Sequence, residues 1–397
     1  MKTSSRQQFN ASFSIEKYQQ QLENIAKDFN YAPTFRIAET PVFIDEKLKS
    51  QLFEACNQII DFIKKPDFNL NTKQALTYNF EVPNEDPHTN FLAVDFGICE
   101  ENGEIVPKMI EVQGFPSLYN FQHNLFDKFV EIYPFLNNYT PFLTHQNKTD
   151  YVNFLRETVV GNEDPKHVIL LEIEPEKQNT RIDFCYAEKE LDIAIVCVTN
   201  VFENGNQLFY KNNQGEDIQI KRIYNRVIFD ELNLRTDLNL KFDFQKPYDI
   251  KWIGHPNWFF RISKFILPDL QGRYFIETTR ISDLTTMPED LENYVLKPLF
   301  SFSGTGVVFH VKKEDIENVV DKELYILQKK VHYKPIIQSP DGLVKTEIRM
   351  LYVWKDEDEN PTPVLTLARM SRGEMIGVKF NKDKDWVGGT LGLFEKG

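Results

Sequence analysis

Thirteen residues in the last third of the chain have the composition of a phosphate-binding loop. Residues 294–306, YVLKPLFSFSGTG, begin with three β-formers and place Lys297 before a proline that ends the strand. The loop that follows contains small residues whose backbone N–H groups can approach an anion closely, namely Ser303, Gly304, Thr305 and Gly306. The spacing matches neither a P-loop nor a dinucleotide fingerprint. It predicts a hairpin that handles phosphate, with an ordinary β-hairpin as the alternative.

Two carboxylates and an amide stand on a second predicted hairpin, nearer the N-terminus. Residues 91–96, FLAVDF, predict a strand that carries Asp95, and the segment KMIEVQGFPS predicts a partner strand with Glu111 and Gln113. Alternate residues of a strand face the same side, so Glu111 and Gln113 project together, and hairpin pairing would set Asp95 beside them. Such oxygen ligands suit Mg²⁺. The alternative is a solvent-exposed face of an amphipathic hairpin.

These side chains need rigid elements to hold them around a cleft. Residues 323–331, ELYILQKKV, predict a strand after the lysine loop, and at its exit Gln328 would present backbone groups to a purine edge. Further strands are predicted at residues 307–311, 344–354 and 363–370. The last two segments and the residues just beyond them carry Glu347, Arg349, Arg369 and Arg372. Guanidinium groups aimed into a cleft bind phosphoryl or carboxylate oxygens bidentately, whereas edge-strand solubility is the alternative for each.

The remaining pattern is a mixture of helices and strands. Helices are predicted at residues 14–29, which are polar, at 46–64, where apolar residues have helical spacing, and at 126–136, while residues 255–270 predict a turn plus a helix. Alternating or continuous apolar runs predict strands at residues 75–82, 167–173, 193–198 and 218–229. The pair at 167–173 and 193–198 is typical of a buried, largely parallel sheet.

Composition restricts the class of protein. The chain has 397 residues, 33 of them Phe, and a formal net charge of −13. That size predicts two or three subdomains, and that charge disfavours nucleic acid or an anionic membrane as a partner. The four cysteines lack C-x-x-C spacing and are expected to be reduced. No apolar run is long enough for a signal peptide or a membrane span, so we expect a cytoplasmic protein.

The order of these features resembles the ATP-grasp superfamily, and in particular the circularly permuted group that includes glutathionylspermidine synthetase. In that group an acidic strand and an E-x-N motif come before the lysine loop, as the hairpin with Asp95, Glu111 and Gln113 does here. The resemblance implies that these three residues bind Mg²⁺. Two departures, Gln113 in place of Asn and Ala93 in place of the Arg of glutathionylspermidine synthetases, weaken the transfer of specific substrates.

The resemblance also implies an ATP site. Lys264 and Lys297 would hold phosphates together with the small-residue loop, although a lysine that extends from a helix to solvent is the alternative for Lys264. The family's phosphate-contacting arginine would be Arg349 or Arg372. Family precedent places a substrate near Arg226, for which a surface or ion-paired role is the alternative.

The expected fold is α/β in circularly permuted order, with α+β ATP-grasp lobes and a Rossmann-like pre-ATP-grasp layer. Its parts would be a helical segment (1–74), part of the C-lobe with the metal ligands (75–150), the pre-ATP-grasp-like domain (151–250), and the nucleotide-binding lobe with the remaining C-lobe strands (251–397). The implied activity is that of an ATP-dependent ligase that joins a small-molecule carboxylate to an amine through an acylphosphate. A degenerate ATP-binding module and a small-molecule kinase are the alternatives.

Overall fold

The computed structural model describes residues 3–77, 81–301, 305–373, 376, 381 and 383–396. Helices and strands are interspersed along this part of the chain. The α-helices are α1 Thr3–Ser12, α2 Ile15–Lys27, α3 Glu46–Ile63, α4 Phe68–Asn71, α5 Lys73–Thr77, α6 Gln122–Ile132, α7 Lys148–Val159, α8 Arg181–Leu191, α9 Phe229–Leu234, α10 Pro256–Arg261 and α11 Lys313–Glu317. None of these described helices is both long and apolar enough to cross a membrane.

The strands form five sheets within the described residues. They are β1 Val42–Phe43, β2 Phe91–Glu101, β3 Glu104–Gln113, β4 Tyr139–Thr140, β5 Val168–Glu172, β6 Ala194–Cys197, β7 Phe202–Asn204, β8 Gln207–Lys211, β9 Asp217–Ile220, β10 Arg222–Asn225, β11 Lys251–Ile253, β12 Thr278–Arg280, β13 Tyr294–Pro298, β14 Tyr325–Lys329, β15 Ile337–Ser339, β16 Gly342–Val353, β17 Thr362–Ser371, β18 Gly388–Thr390 and β19 Gly392–Glu395. The architecture is α/β, as predicted.

The largest sheet is antiparallel and joins two distant parts of the chain. Its order is β18-β17-β16-β2-β3, with β15 paired to β16. β2 and β3 form the predicted hairpin, and β16 lies beside β2. One face of this sheet packs Val94, Phe96 and Ile348 into the same core as the apolar stripe of α3. Because side chains alternate along a strand, the polar residues of β2, β3 and β16 project from the other face.

A parallel sheet forms the middle of the molecule, in the order β11-β10-β5-β6. β5, α8 and β6 form a βαβ unit, which confirms the parallel strands predicted at 167–173 and 193–198, although β6 is an edge strand in which only Val196 is buried. Every residue of β5 is buried, as expected for a parallel strand covered on both faces.

A small antiparallel sheet, β12-β14-β13, completes the part that concerns the site. One of its faces packs Tyr294, Leu296 and Leu327 into a separate apolar cluster with Ile316 of α11. The opposite face carries Lys297 and Gln328, and it is turned towards the segment that contains Lys264.

Five predicted elements differ in the structure. The strand predicted at 218–229 is divided between β9 and β10, which belong to different sheets, and the start of α9. The strand predicted at 75–82 is wrong for residues 75–77, which belong to α5, because Ala75 and Leu76 are buried in the core beside α10. The helix predicted at 255–270 is divided into α10 and a 3₁₀ helix, Lys264–Asp269. The helix predicted at 126–136 ends at Ile132, since Pro134 begins a 3₁₀ turn. Residues 307–311 form one bridge rather than a strand.

Candidate functional site

Charged residues cluster on the face of the large sheet that α3 does not cover. Asp95 lies opposite Arg349 on one side and Glu111 on the other, and Glu347 lies opposite Arg369 of β17. The predicted placement of Asp95 beside Glu111 is confirmed. Gln113 lies further along the same face, opposite Ala93.

Asp95 is held by two guanidinium groups. Nε and Nη2 of Arg349 donate to its two oxygens at 2.5 and 2.7 Å, and Nη2 of Arg369 donates to Oδ2 at 2.7 Å. The side chain of Asp95 is only 2% exposed. Burial by itself would raise the pKa of this carboxyl, but the charges of the two guanidinium groups outweigh burial and lower it. Both oxygens of Asp95 are therefore bonded to arginine.

Glu347 extends this network. Nη2 of Arg369 lies 2.9 Å from Oε2 of Glu347, and the hydroxyl of Tyr333 donates to Oε1. Burial raises the pKa of Glu347, although the charge of Arg369 opposes it. Nε of Arg369 is buried without a hydrogen-bond partner among the described residues, and 36% of the side chain is exposed. Arg369 is thus fixed by two carboxylates while part of its side chain faces solvent.

The small sheet contributes an ammonium group that forms no ion pair within the described residues. Lys297 donates to Oε1 of Gln328 at 2.6 Å, and Nε2 of Gln328 donates to Oγ1 of Thr278 at 3.0 Å. The residue keeps some exposure, yet its ammonium lies among protein atoms, and this burial lowers the pKa of Lys297 to about 8. The carboxylates of Glu111 and Glu347 act in the opposite direction. A poorly hydrated cation with only a neutral acceptor is suited to bind an anion.

Lys264 lies between the two sheets. It is the first residue of its 3₁₀ helix, which Ser263 caps by accepting from the backbone N–H of Phe265. Nζ of Lys264 donates to the carbonyl of Ser301 at 2.9 Å and lies 3.9 Å from Oε1 of Glu111. Lys264 therefore joins the start of the lysine loop to the strand that carries Glu111.

The predicted phosphate loop is described only in part. Ser303 and Gly304 lie outside the described residues. Thr305 and Gly306 are exposed, and Gly306 has φ +74°, where an added Cβ would stand 3.1 Å from Cγ of Pro298. Leu296 and Val308 exchange two backbone hydrogen bonds. The loop therefore folds back along the strand that carries Lys297.

Known proteins match this chain in structure but not in sequence. No family model and no curated protein sequence matches it. A glutathione synthetase-like effector from Globodera pallida, solved in its apo form, is similar over 96% of both chains with a TM-score of 0.58 and 10% identity. The fold of this chain is therefore similar to that of the glutathione synthetase-like effector. A protein described as a gamma-glutamylcysteine synthetase from Methylobacillus flagellatus KT aligns over 86% of both chains with a TM-score of 0.38 and 10% identity.

Two predicted site residues have contacts other than those expected. Arg372 donates to two backbone carbonyls and to Oγ of Ser339, and it takes no part in the network around Asp95. Gln328 lies in the central strand of the small sheet, paired on both sides. The prediction that its backbone faces a purine edge is therefore wrong, and it is the side chain that reaches Lys297.

Tyr333 and Asp230 lie near the site and escaped the sequence analysis, whereas Arg369 was named there without being selected. Arg369 meets Glu347 because β16 and β17 pair, and Tyr333 meets it because its segment bridges to β2. Asp230 of α9 lies near Lys264, and burial raises the pKa of Asp230 to about 6 while the charge of Lys264 lowers it. Its Oδ1 is buried without a partner among the described residues.

Arg226 is buried, which excludes the surface alternative. Its guanidinium lies 5.1 and 5.2 Å from the ring centres of Phe115 and Phe184, and it acts on the carboxyl groups of Glu172 and Asp183. Burial raises the pKa of Glu172 to about 8. The contacts support an electrostatic role inside the fold.

The space between the small sheet, with Lys297, and the polar face of the large sheet, with Asp95 and Glu111, is called the cleft below. Its residues are better suited to hold the phosphates of a nucleotide than to form the predicted three-ligand metal site. Lys297 and Lys264 offer ammonium groups to an anion. In the described part of the chain, by contrast, no three His, Cys, Asp or Glu side chains are arranged to hold a metal ion. Of the predicted ligands, Glu111 and Gln113 are the two that no guanidinium of the described residues contacts, and the side chain of Glu111 is 33% exposed.

Proposed function

We propose that this protein is an ATP-dependent carboxylate–amine ligase whose nucleotide phosphates lie between the small sheet and the polar face of the large sheet. The observation that carries the proposal is Lys297, a buried ammonium whose only close acceptor among the described residues is the amide of Gln328. Phosphate oxygens would give this cation the charged partner that it lacks. The circularly permuted order is part of the same proposal, supported by a sheet in which β2 and β3 lie beside β16 and β17.

The chemistry requires positioning and neutralisation of charge more than a protein nucleophile. A carboxylate oxygen of the acid attacks the γ-phosphorus and ADP leaves, which forms an acylphosphate. The amine then attacks the carbonyl carbon and loses a proton as phosphate departs. Lys264 and Lys297 would bind the phosphoryl oxygens, while Arg369, held by Asp95 and Glu347, would stabilise the charge of the acylphosphate.

A second candidate function is nucleotide binding without turnover, with the chain acting as a binding module. It is favoured by the arginine contacts of Asp95 and by Gln113, because both depart from the predicted metal site. A third, transfer of phosphate to a stable product, differs from the ligase only in what accepts the phosphoryl group.

Hydroxylamine distinguishes these functions. With ATP, a metal salt and a panel of amino acids, short peptides and other carboxylates, a ligase converts the acylphosphate to a hydroxamate. We expect hydroxamate from the wild type and a loss of about ten- to hundredfold in Lys297→Ala, which removes a charge-assisted contact. Lys329→Ala is the matched control, since Lys329 neighbours Gln328 on the same strand but pairs with Glu277 at the surface.

The other outcomes have equally clear meanings. A stable phosphoester would identify a kinase. Nucleotide binding without hydroxamate or phosphoester for any carboxylate would support the binding module. Equal hydroxamate yields from Lys297→Ala and Lys329→Ala would contradict the assignment of Lys297.

A further inference from the structure

We infer that Asp95 is not a metal ligand in this protein but a positioning residue that anchors Arg349 and Arg369, whose guanidinium groups supply a fixed positive charge on the large-sheet side of the cleft. The inference deepens the proposed function and rests on it for the identity of the anion. It concerns Asp95 alone, so it can fail while the proposed function stands.

The first reason is geometric. A Mg²⁺ ligand must offer an oxygen lone pair about 2.0–2.1 Å from the metal in near-octahedral geometry. Both oxygens of Asp95 already accept from guanidinium N–H groups, at 2.5 to 2.7 Å. Arg349 is bidentate and its side chain is only 9% exposed. If Asp95 moved to a metal, it would leave that guanidinium buried without its acid, which is strongly destabilising.

The second reason is the balance of charge. Around the cleft, the carboxylates of Asp95, Glu111, Glu347 and Asp230 are matched by as many cationic side chains, those of Lys264, Lys297, Arg349 and Arg369. A site built to attract a divalent cation needs an excess of negative charge, and these residues do not provide one.

The third reason is the contrast with Glu111, which lies directly across the strand pair from Asp95. Glu111 is 33% exposed, and among the described residues the one ammonium paired with it, that of Lys264, is 3.9 Å away. The two carboxylates therefore stand side by side in one sheet with different surroundings. Both oxygens of Asp95 are occupied by hydrogen bonds from arginine, whereas the oxygens of Glu111 are available to a cation that arrives with a nucleotide.

Two isosteric substitutions, Asp95→Asn and Glu111→Gln, test the inference. Without ligand, we expect Asp95→Asn to lower Tm by about 5 °C or more, because it leaves two guanidinium groups without their carboxylate. Glu111→Gln should leave Tm unchanged or slightly higher, since it relieves repulsion among carboxylates. A neutral or stabilising effect of Asp95→Asn on Tm would overturn the inference, because that is the behaviour of an unpaired metal ligand.

Binding of Mn²⁺, followed by electron paramagnetic resonance in the presence of a non-hydrolysable ATP analogue, gives the second readout. We expect Glu111→Gln to weaken Mn²⁺ binding by about tenfold or more and Asp95→Asn to change it by less than about threefold. Equal weakening by the two substitutions would make Asp95 a ligand and overturn the inference.

A further variant covers the case in which Asp95→Asn does not fold. If Asp95 had to leave its arginines to reach a metal, Arg369→Gln would remove one of the two guanidinium groups that hold it and strengthen Mn²⁺ binding. The inference predicts no gain, and a gain of about tenfold would contradict it. If the wild type does not bind the nucleotide analogue at all, the proposed function fails, and the comparison of Tm values still decides the role of Asp95.

Discussion

The charged side chains on the two sides of the cleft have different partners. On the large sheet, Asp95, Arg349, Arg369 and Glu347 form ion pairs with one another at 2.5 to 2.9 Å. On the small sheet, the acceptor of Lys297 among the described residues is the neutral amide of Gln328. A charge with a charged partner keeps its position when no ligand is bound, whereas a charge without one is stabilised by the ligand itself. In the proposed function, the large sheet would therefore supply orientation and the small sheet affinity for an anion.

The largest effect that would test this contrast is on the stability of the free protein. Lys297→Met removes a poorly hydrated charge, so we expect the variant to be more stable than the wild type at pH 7, by up to about 3 kcal/mol. The comparison should be made by urea unfolding, with Lys329→Met as the control.

The sign of the pH dependence follows from the lowered pKa of Lys297, about 8 in the folded protein against 10.5 ordinarily. Below pH 8 the lysine is protonated in both states, and the folded protein carries the full cost of the charge. As the pH rises from 8 to 10.5 the folded state loses its proton first, and the cost disappears. The advantage of Lys297→Met should shrink over that window. A variant less stable than the wild type at every pH would contradict the contrast.

A smaller effect is expected at Lys264, which joins the two sides. Lys264→Met removes the hydrogen bond to the carbonyl of Ser301 and an ammonium 3.9 Å from Glu111. We expect the affinity for an ATP analogue to fall about tenfold, because a charge-assisted phosphate contact is lost. Isothermal calorimetry measures this, and an affinity like that of Lys329→Met would remove Lys264 from the site.

The smallest effect on nucleotide affinity is expected at Arg372, which belongs to neither side of the cleft. Arg372→Gln breaks hydrogen bonds to Ser339 and to two carbonyls, so stability should fall by about 1 kcal/mol. Nucleotide affinity should remain within about twofold of the wild type, since Arg372 is not part of the network around Asp95. A tenfold loss of affinity would place Arg372 in the site.

Local patterns were enough to predict part of this arrangement. The alternation in FLAVDF and KMIEVQ predicts that Asp95 and Glu111 share a face, and the pairing of β2 with β3 confirms it. The continuous apolar runs predict the parallel strands β5 and β6. Both predictions rest on the periodicity of apolar residues and on elements that are close together in the chain. A single segment of sequence shows both features.

The rest depends on contacts that local patterns do not contain. Arg349 meets Asp95 across 254 residues of chain, and Arg369 meets it across 274. The sequence alone does not give the pairing of β16 with β2. It therefore does not show whether an arginine in an apolar strand faces a carboxylate or a ligand. For the same reason Arg372 was preferred to Arg369. The helix at 73–77 likewise depends on burial against α10, which overrides a strand-like alternation.

The most direct test of the central claim, that Lys297 faces the phosphates of a nucleotide, is a calorimetric titration of the wild type with a non-hydrolysable ATP analogue at pH 8 in two buffers of different ionisation enthalpy. About half of the Lys297 side chains are neutral at this pH, and a bound phosphate favours the charged form. We therefore predict that the wild type binds the analogue and takes up about half a proton on binding. This proton uptake should be lost in Lys297→Met and kept in Lys329→Met. No binding at millimolar analogue, or the same proton uptake in Lys297→Met, would contradict the account.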